Sequence, residues 1–472
     1  MIGDPILTEI GGRVARRGQP AWVVGGAVRD ALQGLPVPDV DLAVDGDASD
    51  PARDLARAYG ASAFPLSEAF GAWRVTGGSL PAQVDLTPLQ GADILDDLAR
   101  RDLTVNAMAI PAQGGGLIDP HGGRADLAEG VLRMVSPTAF AADPVRLVRL
   151  ARIAGQTGFR IEPGTHLRAR MDAASVATTA GERVLAELRL IARQEEAWRG
   201  IETLDELGVL GVIVPDLEEA RGLEQTPYHH LDVLGHILEV VRYACVIRRD
   251  PAEVFRGDAG FVRAALDEPL ADGLTRGDAL VFSALFHDVG KPRTFGTTPE
   301  GRITFMGHDR VGAEIVDEWS RRHGASTRFR EVTAHCVREH LRLGFLVHRQ
   351  PLSLRTIVRY WWATGPAEVE LLVVSSADRL ATNGPRTTPP QISRHLDLVR
   401  QITAAMHPLV VRGEPEPLMD GTEILALGDR TPGPWVGRVV TALREEQMIG
   451  RVTTRAQAER LVRRRIDEDA EK

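Results

Sequence analysis

The segment Asp39-Val40-Asp41-Leu42-Ala43-Val44 constrains this chain most. Side chains alternate across a β-strand, so Val40, Leu42 and Val44 turn to a core while Asp39 and Asp41 share the opposite face. Two adjacent carboxylates repel each other unless a divalent cation sits between them. The strand therefore belongs where one sheet face is buried and the other carries chemistry. Val84-Asp85-Leu86 repeats the pattern with a third acid. Upstream, Trp22-Val23-Val24 runs into Gly25-Gly26, and Val28 to Leu32 then begins a helix. Backbone N–H groups at such a glycine turn suit phosphate oxygens, and Arg29 lies one helical turn on, within reach of the same phosphates.

Residues 1–136 read as an α/β head. From Asp143 the texture changes to helical periodicity, with Val145, Val148, Leu150 and Ile153 spaced for one apolar stripe. A helical neck over 137–225 ends in a joint near Pro215 to Pro227. A His-bearing helical region covers 226–395, with a linker near Asn383 to Pro390, and a helical tail fills 396–472. The 472 residues are 43% hydrophobic and 26% charged, which excludes wholesale disorder. No apolar run approaches the ~18 residues of a membrane span. The start MIGDPILTEI lacks the basic and apolar regions of a signal peptide. The two cysteines, Cys245 and Cys336, suit a reducing compartment. A cytoplasmic protein without a membrane partner is expected.

The net charge of -9 argues against indiscriminate coating of nucleic acid, yet basic residues gather locally. Residues 143–199 hold ten Arg against seven acids, and 436–465 hold eight Arg against three Glu. Both stretches read as helices able to track phosphates. The competing reading is a pair of solvated helix faces.

Five motifs in order carry a resemblance. They are Val24-Gly25-Gly26-Ala27-Val28-Arg29-Asp30 with Asp39-Val40-Asp41, Arg100-Arg101-Asp102-Leu103-Thr104-Val105-Asn106-Ala107, Asp119 to Leu127, Asp143-Pro144-Val145-Arg146, and Gly181 to Leu188. Together they resemble the class II tRNA nucleotidyltransferases and bacterial poly(A) polymerases. The resemblance implies an α+β fold: a polymerase-beta-like nucleotidyltransferase head with a small β-sheet, then all-α neck, HD and tail domains. It implies that Asp39 and Asp41 hold catalytic Mg²⁺, with Asp85 the third carboxylate. Gly25, Gly26, Arg29, Arg101, Asn106, Arg149 and Arg152 would belong to the nucleotide site. Arg101 would contact phosphate and Asp102 the ribose hydroxyls, and Asp143 with Arg146 would read the base. An Asp acceptor and an Arg donor at i and i+3 share a helix face and match the Watson–Crick edge of cytosine or adenine. Ala142 stands where the family has Glu.

A second constellation is His236, His287-Asp288 and Asp378, in the H…HD…D order that resembles HD phosphohydrolases. Imidazoles with carboxylates suit a divalent metal that activates water against a phosphoester. His308 and His340 extend the set toward a second metal, His335 is a weaker candidate, and His229 reads as packing or surface. Of Trp361-Trp362, adjacent on a helix, at most one can face a ligand. The tail resembles the C-terminal region of HD-containing nucleotidyltransferases, where it would grip tRNA.

The expected activity is addition of CCA to tRNA 3′ ends from CTP and ATP, with Mg²⁺ and release of pyrophosphate. A phosphohydrolase acting on RNA-end or 2′,3′-cyclic phosphates would accompany it. The alternatives are CC-only addition, A-only addition, poly(A) synthesis, or an HD phosphohydrolase with an RNA-binding head. Oligomeric state and HD metal identity stay open.

Overall fold

The alternating segments form strands. In the computed structural model, which describes residues 5–15, 18–68, 70–428 and 431–470, β1 is Ala21–Val24, β2 Asp39–Val44, β3 Ser62–Ser67, β4 Ala72–Thr76, β5 Gln83–Pro88 and β6 Ala109–Pro111. The sheet order is β3-β4-β5-β2-β1-β6. β2 and β5 run parallel, and every other neighbouring pair is antiparallel. Helices α1 (Pro5–Ala15), α2 (Gly26–Leu32), α3 (Ser49–Tyr59) and α4 (Ile94–Ala99) complete the framework of the head.

Each sheet face has its own cover. On α3, Ala52, Leu55, Ala56 and Tyr59 are buried at helical spacing, and the helix packs on β3 and β4. Val40, Val75, Val84 and Leu86 are fully buried on the sheet. The opposite face is covered at its β1–β6 end, where Ile94 and Leu98 of α4 pack with Val24, Ala43, Ala107 and Ala109.

Contacts divide the chain into two units, residues 1–191 with 199–213 and residues 192–198 with 214–472. In the first, the expected stripe Val145, Val148, Leu150 and Ile153 is buried along the helix Val145–Thr157, which Gly158 ends in a left-handed conformation. Helices Pro163–Asp172, Gly181–Ala192 and Ala197–Glu206 follow, with a short parallel pair, Val131–Leu132 beside Arg160–Ile161.

The second unit is helical apart from two small hairpins. Helices Val233–Arg249, Arg276–Phe286, His308–Arg322, Thr327–Glu339 and Glu368–Ala381 surround its histidines. The helix Pro389–Arg412 spans the position where the sequence places the start of the tail. The tail packs Met419, Ile424, Trp435, Val439, Leu443, Leu461 and Val462 into its own core. Trp361 and Trp362 both lean on the cluster Val358, Leu409 and Met448, with Arg444 over the Trp362 ring. Both cysteines are buried and unpaired, and among the described residues no helix is long and apolar enough to cross a membrane.

Candidate functional sites

Strand register builds the first site. One row across the sheet reads Ala109, Val24, Asp41, Asp85, Arg74 and Phe64 from β6 to β3. Directly paired residues share a face, so Asp41 and Asp85 lie side by side. Asp39 is exposed, and its Oδ1 accepts from Gln83 Nε2 at 3.1 Å. Burial pushes the Asp41 carboxyl up to about 6, with Asp85 and Asp39 adding to the rise and Arg101 opposing it. Arg74 grips Asp85 in a fork, Nε and Nη2 donating at 2.8 and 2.7 Å. A carboxyl driven toward neutrality by burial and neighbouring acids is one that a divalent cation would hold ionised. The oxygen donor set fits a hard cation.

Gly25 lets the Asp41 carboxylate and the Arg101 guanidinium approach. A Cβ there would stand 2.9 Å from Asp41 Oδ2 and 3.3 Å from Arg101 Nη1, and its φ is +70°. Glycine alone satisfies both conditions comfortably. Arg101 is aimed by Asp97, whose Oδ2 accepts from Nε and Nη2 at 3.1 and 3.0 Å. Asp41, Gln90, Asp97 and Arg101 line one cleft.

Arg29 differs from the sequence expectation. Its guanidinium is buried, donating to Asn106 Oδ1 at 2.9 Å and Asp30 Oδ1 at 2.8 Å. Asn106 Nδ2 reaches Asp102 Oδ1 at 3.3 Å, so these side chains form a chain behind the glycine turn. Asp102 Oδ1 also accepts from the Leu103 N–H at 2.8 Å. Burial opposes the charge of Asp102, but Arg149 and that N–H hold its carboxyl below the ordinary range. Its buried Oδ2 has no hydrogen-bond partner; Arg149 Nη1 stands 3.5 Å away. An ionised oxygen in that state accepts a hydroxyl donor readily.

The arginines after Asp143 are engaged rather than arrayed in solvent. Arg146 donates to the carbonyls of Ala139 and Arg100 at 3.1 and 2.7 Å, with its Nε 4.0 Å from Asp143. Arg183 holds both Asp143 oxygens, at 3.0 and 2.8 Å. Arg149 and Arg152 donate to the two oxygens of Glu187 at 3.0 and 2.7 Å. The side chains expected to read the base are thus held by protein partners.

In the second unit, His236, His287, Asp288, His308 and His340 are all buried and converge. His236 Nε2 lies 3.1 Å from Asp378 Oδ1 and 3.8 Å from Asp288 Oδ2. His287 Nε2 lies 3.2 Å from Asp288 Oδ2. On its other oxygen, Asp288 faces His308 Nε2 at 3.2 Å and His340 Nε2 at 3.7 Å. Three imidazoles face backbone carbonyls through Nδ1: His287 to Ala284 at 2.8 Å, His308 to Phe305 at 2.7 Å and His340 to Val337 at 2.6 Å. Donation there leaves each Nε2 lone pair aimed at the centre, the tautomer a metal ligand needs. His287 Nε2 and both ring nitrogens of His236 lack hydrogen-bond partners. Burial would raise Asp288, but Lys291 and His287 hold its carboxyl well below the usual range. The set fits divalent metal ions. Gly290 keeps the helices close, since a Cβ there would stand 2.2 Å from the His308 carbonyl oxygen.

Sequence reasoning missed several residues. His229 forms a metal-capable group with His236 and Asp378, its ring 4.8 Å from that of His236. Lys291 Nζ sits 2.6 Å from both Asp288 Oδ2 and Gln225 Oε1. The i,i+3 spacing to Asp288 was its signal, as i,i+4 spacing to Arg101 was for Asp97. Arg74 and Arg183 had no such local signal. His335 is turned away, bonded to the Ala363 carbonyl at 3.1 Å.

Comparison with known proteins gives three family matches: the poly A polymerase head domain over residues 21–133, the probable RNA- and SrmB-binding site of polymerase A over 158–221, and the HD domain over 233–383. An A-adding tRNA nucleotidyltransferase of Deinococcus radiodurans is 38% identical, with 95% of this chain and 96% of the relative covered. A CC-adding tRNA nucleotidyltransferase of Thermus thermophilus is 33% identical over 93% and 92%. A multifunctional CCA protein of Methylococcus capsulatus is 33% identical over 68% and 71%. Among solved structures, a CCA-adding enzyme in complex with ATP shares the fold, with a TM-score of 0.64, 19% identity, and coverage of 98% of this chain and 96% of that one.

Proposed function

The chain belongs to the tRNA nucleotidyltransferase and poly(A) polymerase family, and on that premise we propose that it adds nucleotides from triphosphates to the 3′ end of tRNA. The observation that carries this reading is the pairing of Asp41 with Asp85 and the close approach of Gly25 and Arg101 to Asp41, backed by the buried Asp102 Oδ2 that lacks a hydrogen-bond partner. Asp39 and Asp41 would hold Mg²⁺, which when bound acidifies the attacking hydroxyl and screens the triphosphate. Arg101, braced by Asp97, holds phosphate. Asp102 accepts from a ribose hydroxyl, which favours ribonucleotides. Asp143 accepts from the exocyclic amine of cytosine or adenine while Arg146 donates to ring acceptors, so uracil and guanine, with carbonyls in place of the amine, are refused. The acceptor 3′ hydroxyl then attacks the α-phosphorus in line and pyrophosphate leaves.

Within this chemistry the A-adding reaction is favoured. The 38%-identical relative spanning 95% of the chain is A-adding and a 33%-identical one spanning 93% is CC-adding, whereas the multifunctional CCA protein matches 68%. Complete CCA addition is the second reading, because one Asp–Arg pair accommodates both bases. Incubation of the protein with tRNA lacking CCA or ending in CC, with CTP and ATP singly and together, separates them on a sequencing gel. A single A added to CC ends with bare ends left unextended supports the first, CCA added to bare ends the second, and CC alone on bare ends overturns both in favour of CC addition. No incorporation on either acceptor refutes the transferase reading.

We also propose that the histidine cluster binds divalent metal and hydrolyses RNA-end or 2′,3′-cyclic phosphates. The buried Nε2 atoms of His236 and His287, which lack hydrogen-bond partners, support it. Phosphate release from RNA ends, or opening of a cyclic phosphate to the monoester, that disappears in His287→Ala while nucleotide addition persists is the expected result; hydrolysis unchanged by that variant refutes it.

A further inference from the structure

The row that carries the carboxylates ends in a residue the transfer reaction has not used. Phe64 lies on edge strand β3, two strands beyond Asp85 and on the same face, and it is 42% exposed. Leu66 and Phe70, two and six residues further on, are 46% and 58% exposed. On the other face of β3 and β4 lies α3, so the apolar group is not that helix's seat. Three large apolar side chains within seven residues, in the open, mark a contact surface.

Reaction geometry indicates what touches it. The groups assigned to the incoming nucleotide stand at the opposite end of the row: Gly25 follows β1, Arg101 meets Gly25 and Asp41, and Asp102 lies just beyond α4. In an in-line displacement the attacking oxygen and the leaving pyrophosphate lie on opposite sides of phosphorus. With triphosphate and ribose on the β1 side, the attacking hydroxyl reaches Asp41 and Asp85 from the β4–β3 side. Neighbouring strands are ~4.8 Å apart, which puts the Phe64 backbone about 10 Å from that of Asp85. A base on the attacking ribose falls within reach of the ring. Arg74, between them, is paired with Asp85, so the attraction at Phe64 is stacking rather than charge.

We propose that Phe64, flanked by Leu66, is the stacking platform for the terminal base of the single-stranded RNA acceptor. Every base has a π-face, so the platform accepts whichever base ends the acceptor and leaves choice of nucleotide to Asp143 and Arg146. The inference rests on the transferase reading, and its test is arranged to fail separately.

The full chain is assayed with tRNA transcripts lacking CCA or ending in CC, and with matched transcripts whose last nucleotide is abasic. Phe64→Ala should raise KM for the acceptor about 10-fold, with kcat and the KM for nucleotide unchanged, while Phe64→Trp stays near wild type. The abasic acceptor should lose the same factor on wild type and nothing further on Phe64→Ala, the signature of two groups that interact. Equal acceptor KM in wild type and Phe64→Ala, or independent losses, would overturn the proposal. So would a change in sedimentation with KM untouched, which assigns the patch to self-association. Anisotropy titration of end-labelled acceptor, without nucleotide, applies the same comparison even where no transfer is seen; that failure would count against the transferase reading alone.

Discussion

Asp41 is the residue at which catalysis is expected to cost stability. Its carboxyl is pushed from an ordinary 3.8 up to about 6, first by burial and then by Asp85 and Asp39. A raised carboxyl means that the folded protein binds that proton more tightly than the unfolded chain. Stability from this group is therefore present at low pH, falls as pH rises from about 4 to about 6, and stays low above that. At ~1.4 kcal/mol per tenfold change in proton affinity, the full penalty is about 3 kcal/mol. Solvent screening of a partly exposed side chain brings the expected figure nearer ~2 kcal/mol. Asp41→Asn removes the charge and keeps the shape. In EDTA at pH 8, hydrogen exchange of β2 and β5 amides should slow by roughly 30-fold in Asp41→Asn, about 2 kcal/mol converted at that ratio. At pH 4 the two proteins should match. Mg²⁺ should protect wild type and not the variant, and the variant should transfer no nucleotide. Equal or faster exchange in Asp41→Asn at pH 8, or a difference independent of pH, would refute the assignment of burial and like charge as the cause.

Further outcomes follow from the same geometry. Gly25→Ala should abolish transfer and cost ~1–2 kcal/mol in thermal unfolding, because its Cβ meets Asp41 and its φ is positive. Arg183→Ala frees the Asp143 carboxylate from its fork; discrimination of ATP and CTP over UTP should fall about 10-fold, through KM, with partial rescue by Lys. Asp288→Asn should abolish retention of Mn²⁺ measured by mass spectrometry, since Asp288 faces His287, His308 and His340. Nucleotide addition should be unchanged. His229→Ala should weaken retention roughly 10-fold, as expected for a supporting ligand.

The parts of this protein legible in its sequence are those whose information is local. Alternation in Asp39–Val44 and Gln83–Pro88 places acids on one face and a core on the other, because a strand's period is two. The stripe from Val145 to Ile153 defines a helix by the same kind of rule. His287-Asp288 marks a candidate metal site by residue type alone. What only tertiary structure decided depends on which distant segments meet. Arg74 became the partner of Asp85 through the β4–β5 register, and Arg183 the partner of Asp143 across forty residues. His229 joined His236 and Asp378 by the approach of a loop and two helices. Arg29 pairs with Asn106 because a buried guanidinium must find acceptors inside the protein. Phe64 joined the row of Asp41 and Asp85 only when β3 paired with β4. A strand's own sequence sets which side chains share a face, but the fold chooses the neighbour that completes the row.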